Sequence, residues 1–359
     1  MAIRINKTIP LSVIFVTVII LSVSLYSLPQ TETLRYVTSV TQDENDAATY
    51  WIGTATGVRP VRLFDARLRE GDLFLAGEKV NDLLSHETDL YVATDTGLYR
   101  RTSSRGEITE LQSRLLYTKV VDVEWLNDRV YAATNAEVLY SDDKGRTWIS
   151  ILVAGSNAST ILEGHNTALA IGHDKSNREI VYLGTAGRGL HRFSPALGWV
   201  SLNSDLPQAI GAAPIAPVQA VSVNPKNANN VFVALEGKGI YKSFDGGNRW
   251  LHLNLVPRGA IYSFIPAGVL VDKKNPSIVV CYVHVSFASH NQEAWVFISS
   301  DGGDSWKTAA RFAETHIVGV LPRYATESLE YIVITQKGSF SIKASSVSSG
   351  LFEIKNLSN

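Results

Sequence analysis

The strongest constraint on the fold is a phrase that recurs along the chain. It consists of a β-branched or aromatic run, a small residue, often a threonine, a turn containing glycine, and a second apolar run. Two short alternating runs around a tight turn predict a β-hairpin. A seventh, interrupted copy runs from IVVCYVHVS to AWVFISS, with an insertion at Ala288 to Glu293. The six uninterrupted copies begin at Tyr50, Leu90, Val130, Val181, Val231 and Tyr331.

The spacing of these hairpins predicts how they assemble. They follow one another about every 40 to 50 residues, and each repeat has room for one strand before the hairpin, such as Val218 to Val223, and one after it. A lone four-stranded sheet of this size cannot bury both faces, whereas neighbours stacked around an axis can. Seven such repeats therefore predict an all-β, seven-bladed β-propeller. A parallel β-helix is the alternative, but its rungs would be shorter.

The first thirty residues differ from the rest. Arg4 and Lys7 precede an uncharged apolar stretch, residues 8–28, that is long enough to span a bilayer as a helix. Basic residues before the stretch and acidic residues after it predict that the body lies outside the cytoplasm. We predict one N-terminal transmembrane or signal helix in residues 1–30 and the propeller in residues 31–359. Cleavage of the first segment, and hence secretion, is the alternative.

Composition excludes several classes of function. The chain has 33 basic and 34 acidic residues and a net charge of −1, so we predict no nucleic-acid partner. Cys281 is the single cysteine, which excludes an intrachain disulfide and a cysteine-based zinc or redox site. Its apolar neighbours predict a buried, inert thiol.

A sharper motif, Ser-x-Asp-x-Gly-x-Thr/Ser-Trp, occurs three times in phase with the repeat. The third copy has Arg249 in place of the hydroxyl residue. The matching positions are Ser141, Asp143, Gly145, Thr147 and Trp148; Ser299, Asp301, Gly303, Ser305 and Trp306; and Ser243, Asp245, Gly247 and Trp250. These positions resemble the Asp-box, or bacterial neuraminidase, repeat family. That family includes sialidases, xyloglucan-cleaving glycosidases, sortilin-type receptors and photosystem II assembly factors.

The chemistry of the motif predicts a structural role. Asp and Ser side chains can bond to nearby backbone N–H groups and close the turn between the third and fourth strands. Glycine supplies a positive φ, and tryptophan can pack against the neighbouring blade. Two repeats lack the aspartate, at TSSRGEIT from Thr102 and SPALGW from Ser194, and we expect looser turns there.

The resemblance also implies what a glycosidase would need. Sialidases of this family use three arginines and a Tyr–Glu pair, and the nearest phrase here, Val58-Arg59-Pro60, has the wrong order. The xyloglucan-cleaving members resemble two propellers with a cleft between them, and this chain has length for one.

Candidate carboxylate and metal sites are weak. The pairs Asp122 with Glu124 and Glu236 with Asp272 are not distinguishable from ordinary strand-end acids. Isolated histidines in loops are more often surface residues than ligands. We therefore predict no catalytic residue, no metal site and no cofactor. The histidine groups considered were His165 and His173 with Asp174, and His284 with His290.

Binding is the remaining class. The longest connections, Gln208 to Gln219 and Phe287 to Trp295, are candidate contact loops on a rigid disc. We predict a non-catalytic, extracytoplasmic binding or assembly module for an unidentified protein or glycan partner, attached to the membrane through residues 8–28. The alternative is an exported glycoside hydrolase, either sialidase-like or glucan-cleaving.

Overall fold

The structure is a computed structural model. It describes residues 37–357 except 65–66, 103–106, 111–114, 116, 152–165, 208–214, 256–260, 288–291, 324–328 and 347–350. The regular secondary structure of these residues is strand throughout, in seven four-stranded antiparallel sheets. The predicted all-β, seven-bladed propeller is confirmed. The apolar stretch 8–28 lies outside the described residues, and no helix within them is long and apolar enough to cross a membrane.

Each blade uses four consecutive strands, and the predicted hairpins are the second and third strands of their blades. Blade 1 contains β1 (Val37–Gln42), β2 (Thr49–Thr54), β3 (Gly57–Phe64) and β4 (Arg67–Glu70). Blade 2 contains β5 (Val80–His86), β6 (Asp89–Thr94), β7 (Leu98–Thr102) and β8 (Glu107–Glu110). Blade 3 contains β9 (Val120–Leu126), β10 (Arg129–Thr134), β11 (Val138–Ser141) and β12 (Ile149–Ser150). Blade 4 contains β13 (Asn166–His173), β14 (Glu179–Thr185), β15 (Leu190–Ser194) and β16 (Gly198–Ser201).

The remaining three blades follow the same order. Blade 5 contains β17 (Val218–Asn224), β18 (Asn227–Leu235), β19 (Gly239–Ser243) and β20 (Leu251–His252). Blade 6 contains β21 (Ile261–Val271), β22 (Val279–Phe287), β23 (Gln292–Ser299) and β24 (Lys307–Ala313). Blade 7 contains β25 (Ile317–Pro322), β26 (Leu329–Thr335), β27 (Gly338–Ser346) and β28 (Leu351–Asn356).

Apolar packing between blades holds the disc together. The buried residues of the described chain form seven clusters, one between each pair of neighbouring blades. The first strand of each blade lies next to the first strands of its neighbours and lines a central channel. We call the face with the first-to-second and third-to-fourth strand turns the lower face, and the opposite face, with the second-to-third strand turns, the upper face.

The ring closes without sharing a strand. Blade 1 consists of the first four strands and blade 7 of the last four, so neither terminus completes the other's sheet. Closure instead depends on one apolar cluster, in which Tyr50 and Ile52 pack with Ile332 and Ile334. Within the described residues, the first and last blades are therefore joined by side-chain packing and not by paired strands.

A threonine closes the second-to-third strand turn in five blades. In blade 2, Thr94 accepts the N–H groups of Thr96 and Gly97 on Oγ1 at 3.2 and 3.1 Å and donates to the Gly97 carbonyl at 3.0 Å. A hydroxyl in this position replaces missing turn partners. The counterparts are Thr54, Thr134, Thr185 and Thr335, all buried.

The three Ser-x-Asp segments form the third-to-fourth strand turns of blades 3, 5 and 6, and we call residues 141–148, 243–250 and 299–306 the box loops. In blade 3, Ser141 Oγ accepts the Gly145 N–H at 2.8 Å, and Asp143 accepts the Thr147 N–H at 2.8 Å. Gly145 has φ 89°, which glycine adopts without strain. The other two box loops repeat these bonds through Ser243, Asp245, Gly247, Ser299, Asp301 and Gly303.

The box-loop tryptophans lie between blades, as the sequence predicts. Trp148 packs against the cluster shared by blades 2 and 3, Trp250 against that of blades 4 and 5, and Trp306 against that of blades 5 and 6. Each indole therefore joins its own blade to the preceding one.

The corresponding turn of blade 4 is shorter rather than looser. Leu197 donates its N–H to the Ser194 carbonyl and Oγ at 3.2 and 3.3 Å, and Gly198 begins β16 at φ 66°. The expectation of a looser turn was therefore wrong for blade 4. Its tight turn lets β16 pair with β15 over four residues. The turn of blade 2 falls on residues 103–106, outside the described residues.

Candidate functional site

The inner wall of the channel holds two aspartates that sequence reasoning did not connect. Asp82 on β5 and Asp122 on β9 occupy the same position of their strands, and their carboxyls hydrogen-bond to each other. Asp82 also accepts the Val123 N–H at 3.1 Å, and Asp122 accepts the Leu169 N–H at 2.7 Å. A first strand is the inner edge of its sheet, so its inward N–H groups have no strand partner. Each aspartate supplies that acceptor to the following blade.

The pair holds a proton that an ordinary aspartate would release. Burial raises the pKa of Asp82 to about 6. Burial, and then the neighbouring charges of Asp82 and Glu124, raises the pKa of Asp122 well above its usual range. Two carboxyls in contact ionise as a unit, because a second negative charge beside the first is unfavourable.

This geometry does not suit glycoside hydrolysis. The two carboxyl groups of a glycosidase lie about 5–5.5 Å apart in retaining enzymes and about 6.5–9.5 Å apart in inverting ones. Asp82 and Asp122 interact with each other, and each also accepts a backbone N–H group of the following blade, so they are not placed as two separate groups flanking a sugar. The structure also separates Glu236 from Asp272, which belong to turns on opposite faces of the disc.

An ion pair crosses the lower mouth of the channel. Glu124 on β9 accepts from the Lys273 ammonium at 3.0 Å, although the two residues belong to blades 3 and 6, on nearly opposite sides of the ring. The charge of Glu124 raises the pKa of Lys273. Glu124 is therefore a partner of Lys273 rather than the second member of a catalytic pair with Asp122.

Two described residues of the candidate metal groups, His284 and Asp174, have other partners. His165 and His290 lie outside the described residues. His284 accepts the Ile317 N–H on Nε2 at 3.1 Å, and burial lowers its pKa to about 4, so that nitrogen is already occupied. Asp174 binds Arg178 at 2.7 Å. Across the described part of the chain, no three His, Cys, Asp or Glu side chains are placed to hold a metal ion.

Cys281 is buried, as the sequence predicts. It is fully buried and unpaired between blades 5 and 6, and burial raises the pKa of its thiol. A thiol that resists ionisation is a poor nucleophile and a poor metal ligand.

Blade 6 departs most from the shape of the other blades. We call residues 284–287 of β22 and residues 292–294 of β23 the blade 6 extension. These residues keep pairing beyond the level where the blade 5 hairpin turns, as far as Ser286 opposite Gln292. Four additional residues of strand add about 13 Å of height on the upper face. The interruption of the repeat is therefore shorter than the sequence predicts, because Gln292 and Glu293 already belong to β23.

The two candidate contact loops belong to the same sector of the upper face. One connects blade 4 to blade 5 and the other caps blade 6, so their described ends are neighbours in the ring. Ile215 and Ala216, however, are buried in the cluster between blades 4 and 5. The C-terminal part of Gln208 to Gln219 is thus core rather than contact surface.

The exposed chemistry of this sector belongs to the blade 6 extension and the strands beside it. Ile265 on β21 has 44% of its side chain exposed, opposite His284. Arg311 on β24 stacks over the Trp295 ring at 3.9 Å, and Trp295 donates its Nε1–H to Glu293 at 2.6 Å. A cation on an aromatic face beside a carboxylate makes a surface suited to recognition rather than to bond cleavage, and Ile265 adds an exposed apolar side chain on the other face of the same sheet.

One of the missed features was detectable from the sequence. Asp82 and Asp122 each stand two residues after the valine that begins the inner strand, and aligning the second and third repeats would have paired them. The Glu124–Lys273 pair leaves no such signal, since only ring closure brings blades 3 and 6 together.

No protein-family model matches the sequence, and no curated protein matches it. Many solved structures share its fold, and three of them are compared with it below. A GH74 xyloglucanase from Xanthomonas campestris is 13% identical, with a TM-score of 0.61 over 90% of this chain and 54% of that one. YCF48 bound to a D1 peptide is 12% identical, with a TM-score of 0.55 over 89% of this chain and 95% of that one.

The third structure is the extracellular domain of BT4673 from B. thetaiotaomicron, which is 15% identical, with a TM-score of 0.58 over 85% of this chain and 38% of that one. The chain thus spans about half the length of the xyloglucanase and nearly all of YCF48. At these identities the comparisons establish the propeller fold and leave the function to the site.

Proposed function

We propose that this propeller is a non-catalytic binding or assembly module and that its partner, a protein or a glycan, binds the upper face at blades 5 and 6. The observation that carries the proposal is the blade 6 extension. It rises above the second-to-third strand turns of the other blades and carries Arg311 and Glu293 around Trp295 on the side facing blade 5, with the exposed Ile265 on the other side of the same sheet. A rigid disc with one raised sector offers a defined contact surface.

Two further observations support binding over catalysis. The carboxyls Asp82 and Asp122 are bonded to each other and to backbone N–H groups, so they are committed to holding the channel wall. YCF48, a single propeller of similar length, has been solved with a bound D1 peptide, which gives a precedent for a protein ligand on this fold. The xyloglucanase, in contrast, is a longer protein, and its match to this chain covers only 54% of its length.

The proposal includes location and family. We place the propeller outside the cytoplasm, attached through residues 8–28 or secreted after cleavage, because basic residues precede that stretch and acidic residues follow it. We assign it to the Asp-box type because three box loops carry the motif in phase with the blades.

Site-specific photo-cross-linking in native membranes tests this proposal. A photoreactive residue at position 265 or 311 of the full chain should capture a discrete partner. The same probe at Lys79, on the upper face between blades 1 and 2, should not. The paired variant Ile265→Asp/Arg311→Glu should abolish capture by a probe at position 293, while Lys79→Glu leaves it intact.

Two outcomes would overturn the proposal. Equal capture at positions 79 and 311 would show that the raised sector has no special role. Robust hydrolysis of fluorogenic sialosides or β-glucan oligosaccharides, abolished by one carboxylate substitution, would establish the glycosidase instead.

A further inference from the structure

The first-to-second strand turns of the lower face divide into an acidic half and a basic half. In blades 1 to 3 the exposed charged residues of these turns are Glu44, Glu87 and Asp128. In blades 4 to 6 they are Lys175, Arg178, Lys226, Lys273 and Lys274. Among the described residues of these six turns, no exposed side chain has the opposite sign to its half.

Contacts within the chain leave part of this charge unmatched. Glu87 binds Lys144 at 2.8 Å, and Arg178 binds Asp174 at 2.7 Å, so these charges are partly balanced. Asp128, Lys175 and Lys226 form no ion pair within the described part of the chain. The box loops, at the rim of the same face, carry both signs, including the exposed Asp301 and Asp304 in blade 6, so the division is a property of the first-to-second strand turns alone.

We propose that the lower face binds a second copy of this chain, face to face, around a two-fold axis in the plane of the interface. Such an axis, passing through blade 7 and between blades 3 and 4, places blade 1 over blade 6, blade 2 over blade 5 and blade 3 over blade 4. Every acidic turn then faces a basic turn of the other copy. The same surface serves on both sides, as an interface with two-fold symmetry requires.

The matched turns define specific ion pairs. Asp128 of one copy faces Lys175 and Arg178 of the other, Glu87 faces Lys226, and Glu44 faces Lys274. Each pair occurs twice by symmetry. The second copy fits better than a uniformly charged partner, because a nucleic acid or an anionic membrane would be repelled by the acidic half. Exposed ion pairs are screened by salt, so the association depends strongly on ionic strength.

Sedimentation velocity of the full chain in a neutral detergent tests the inference. The protein should form a dimer at about 50 mM salt and dissociate at about 500 mM, where the screening length is much shorter. The acid-reversed variant Glu87→Lys/Asp128→Lys and the base-reversed variant Lys175→Glu/Lys226→Glu should each weaken the dimer at least tenfold. An equimolar mixture of the two should form a heterodimer.

Heterodimer formation in the mixture would show that the charges act at the interface, and not through a general effect of charge on association. Lys79→Glu, a reversal on the upper face, should leave the dimer unchanged, and circular dichroism should show native strand content in every variant. A monomeric wild type at low salt, a dimer that resists both reversals, or a mixture that stays monomeric would each overturn the proposal. These residues lie on the face opposite the proposed partner site, so either proposal can fail without the other.

Discussion

Blade interfaces fall into two groups, according to whether the second of the two blades carries a box loop. The two groups differ in one residue on the third strand of the first blade. In blades 2, 4 and 5, a cation on the third strand reaches the box loop of the next blade. Arg100 donates to the Lys144 carbonyl at 2.8 Å, Arg192 donates to the Gly246 carbonyl at 2.7 Å, and Lys242 donates to Asp304 at 2.8 Å. The blades not followed by a box loop carry Pro60, Tyr140, Ile298 and Ser341 in the corresponding positions.

The box loop therefore makes a second kind of contact, which joins two blades. Its bonds close a turn within one blade, and the closed turn presents carbonyl or carboxylate oxygens to a cation of the preceding blade. The cation in turn lies against an aromatic or apolar neighbour, as Lys242 does 3.8 Å from the Phe244 ring. Interfaces 2/3, 4/5 and 5/6 thus have a polar contact at the rim in addition to their apolar cluster.

The interface between blades 7 and 1 shows the opposite arrangement. It closes the ring with the cluster around Ile332 and Ile334, and the described residues form no cation–box contact across it. If this cluster carries closure, Ile332→Ala should lower the free energy of unfolding by about 4 kcal/mol, since Ile332 is 1% exposed. Urea unfolding measures this loss, with Ile354→Ala, 46% exposed on the same blade, as the control. A loss no larger than the control's would mean that closure depends on other contacts.

At a box interface, the tryptophan should matter more than the aspartate. Trp148→Ala removes the ring that packs between blades 2 and 3 and should cost about 3 kcal/mol, toward the lower end for such truncations because the indole is only partly buried. Asp143→Ala should cost about 1 kcal/mol, since it removes turn hydrogen bonds at an exposed site. Thermal unfolding ranks the two, with Ile149→Ala, half exposed, as the control. The reverse ranking would show that the turn bonds, not the indole, hold this interface.

Hydrophobic and turn patterns predicted the blades because those signals are local. The phrase beginning at Leu90 specifies its hairpin through alternation and a threonine, whatever surrounds it. The cation–box contact was missed because Arg100 and Lys144 lie 44 residues apart, and an arginine on a strand looks solvated until its neighbour is placed. The extent of the blade 6 extension was misjudged because FASHNQ is polar and interrupts an alternation that the paired strands continue on both sides.

The cation–box contact should be measurable by itself. Arg192→Met keeps the aliphatic stem but leaves the Gly246 carbonyl without its donor, and should cost about 2 kcal/mol, as expected for a hydrogen bond to a charged group. Arg146→Met, an exposed arginine on a box loop with no side-chain partner among the described residues, should cost under about 0.5 kcal/mol. Tyr140→Arg, ahead of a blade without a box loop, should give no stabilisation. A gain there would show that the cation does not require a box loop.

The stability of the interface between blades 2 and 3 should depend on pH in two opposite ways. Carboxyls at its rim and on the channel wall have pKa values shifted in opposite directions. At the rim, hydrogen bonds from the Thr147 N–H and the Ser141 and Thr147 hydroxyls lower the pKa of Asp143 to about 2. A lowered pKa contributes stability that is present above about pH 4 and is lost as pH falls towards 2.

On the channel wall, burial raises the pKa of Asp82 to about 6 and raises that of Asp122 as well. The folded pair keeps a proton that the unfolded chain releases near pH 4, so its contribution is present below about pH 4 and is lost as pH rises through 6.

Urea midpoints across this range, compared among three proteins, separate the two groups. For each proton retained, the folding equilibrium constant should fall up to about tenfold per pH unit between the unfolded and folded pKa values. Asp122→Asn keeps an acceptor for the Leu169 N–H and cannot ionise, so it should flatten the decline above about pH 5 and leave the acid side unchanged. Asp143→Asn should flatten only the smaller acid-side decline, because its site is exposed and screened. If Asp122→Asn reproduced the wild-type profile above pH 5, the shared proton would not reside on this pair, and the carboxyls would merely be acceptors for the inner strands.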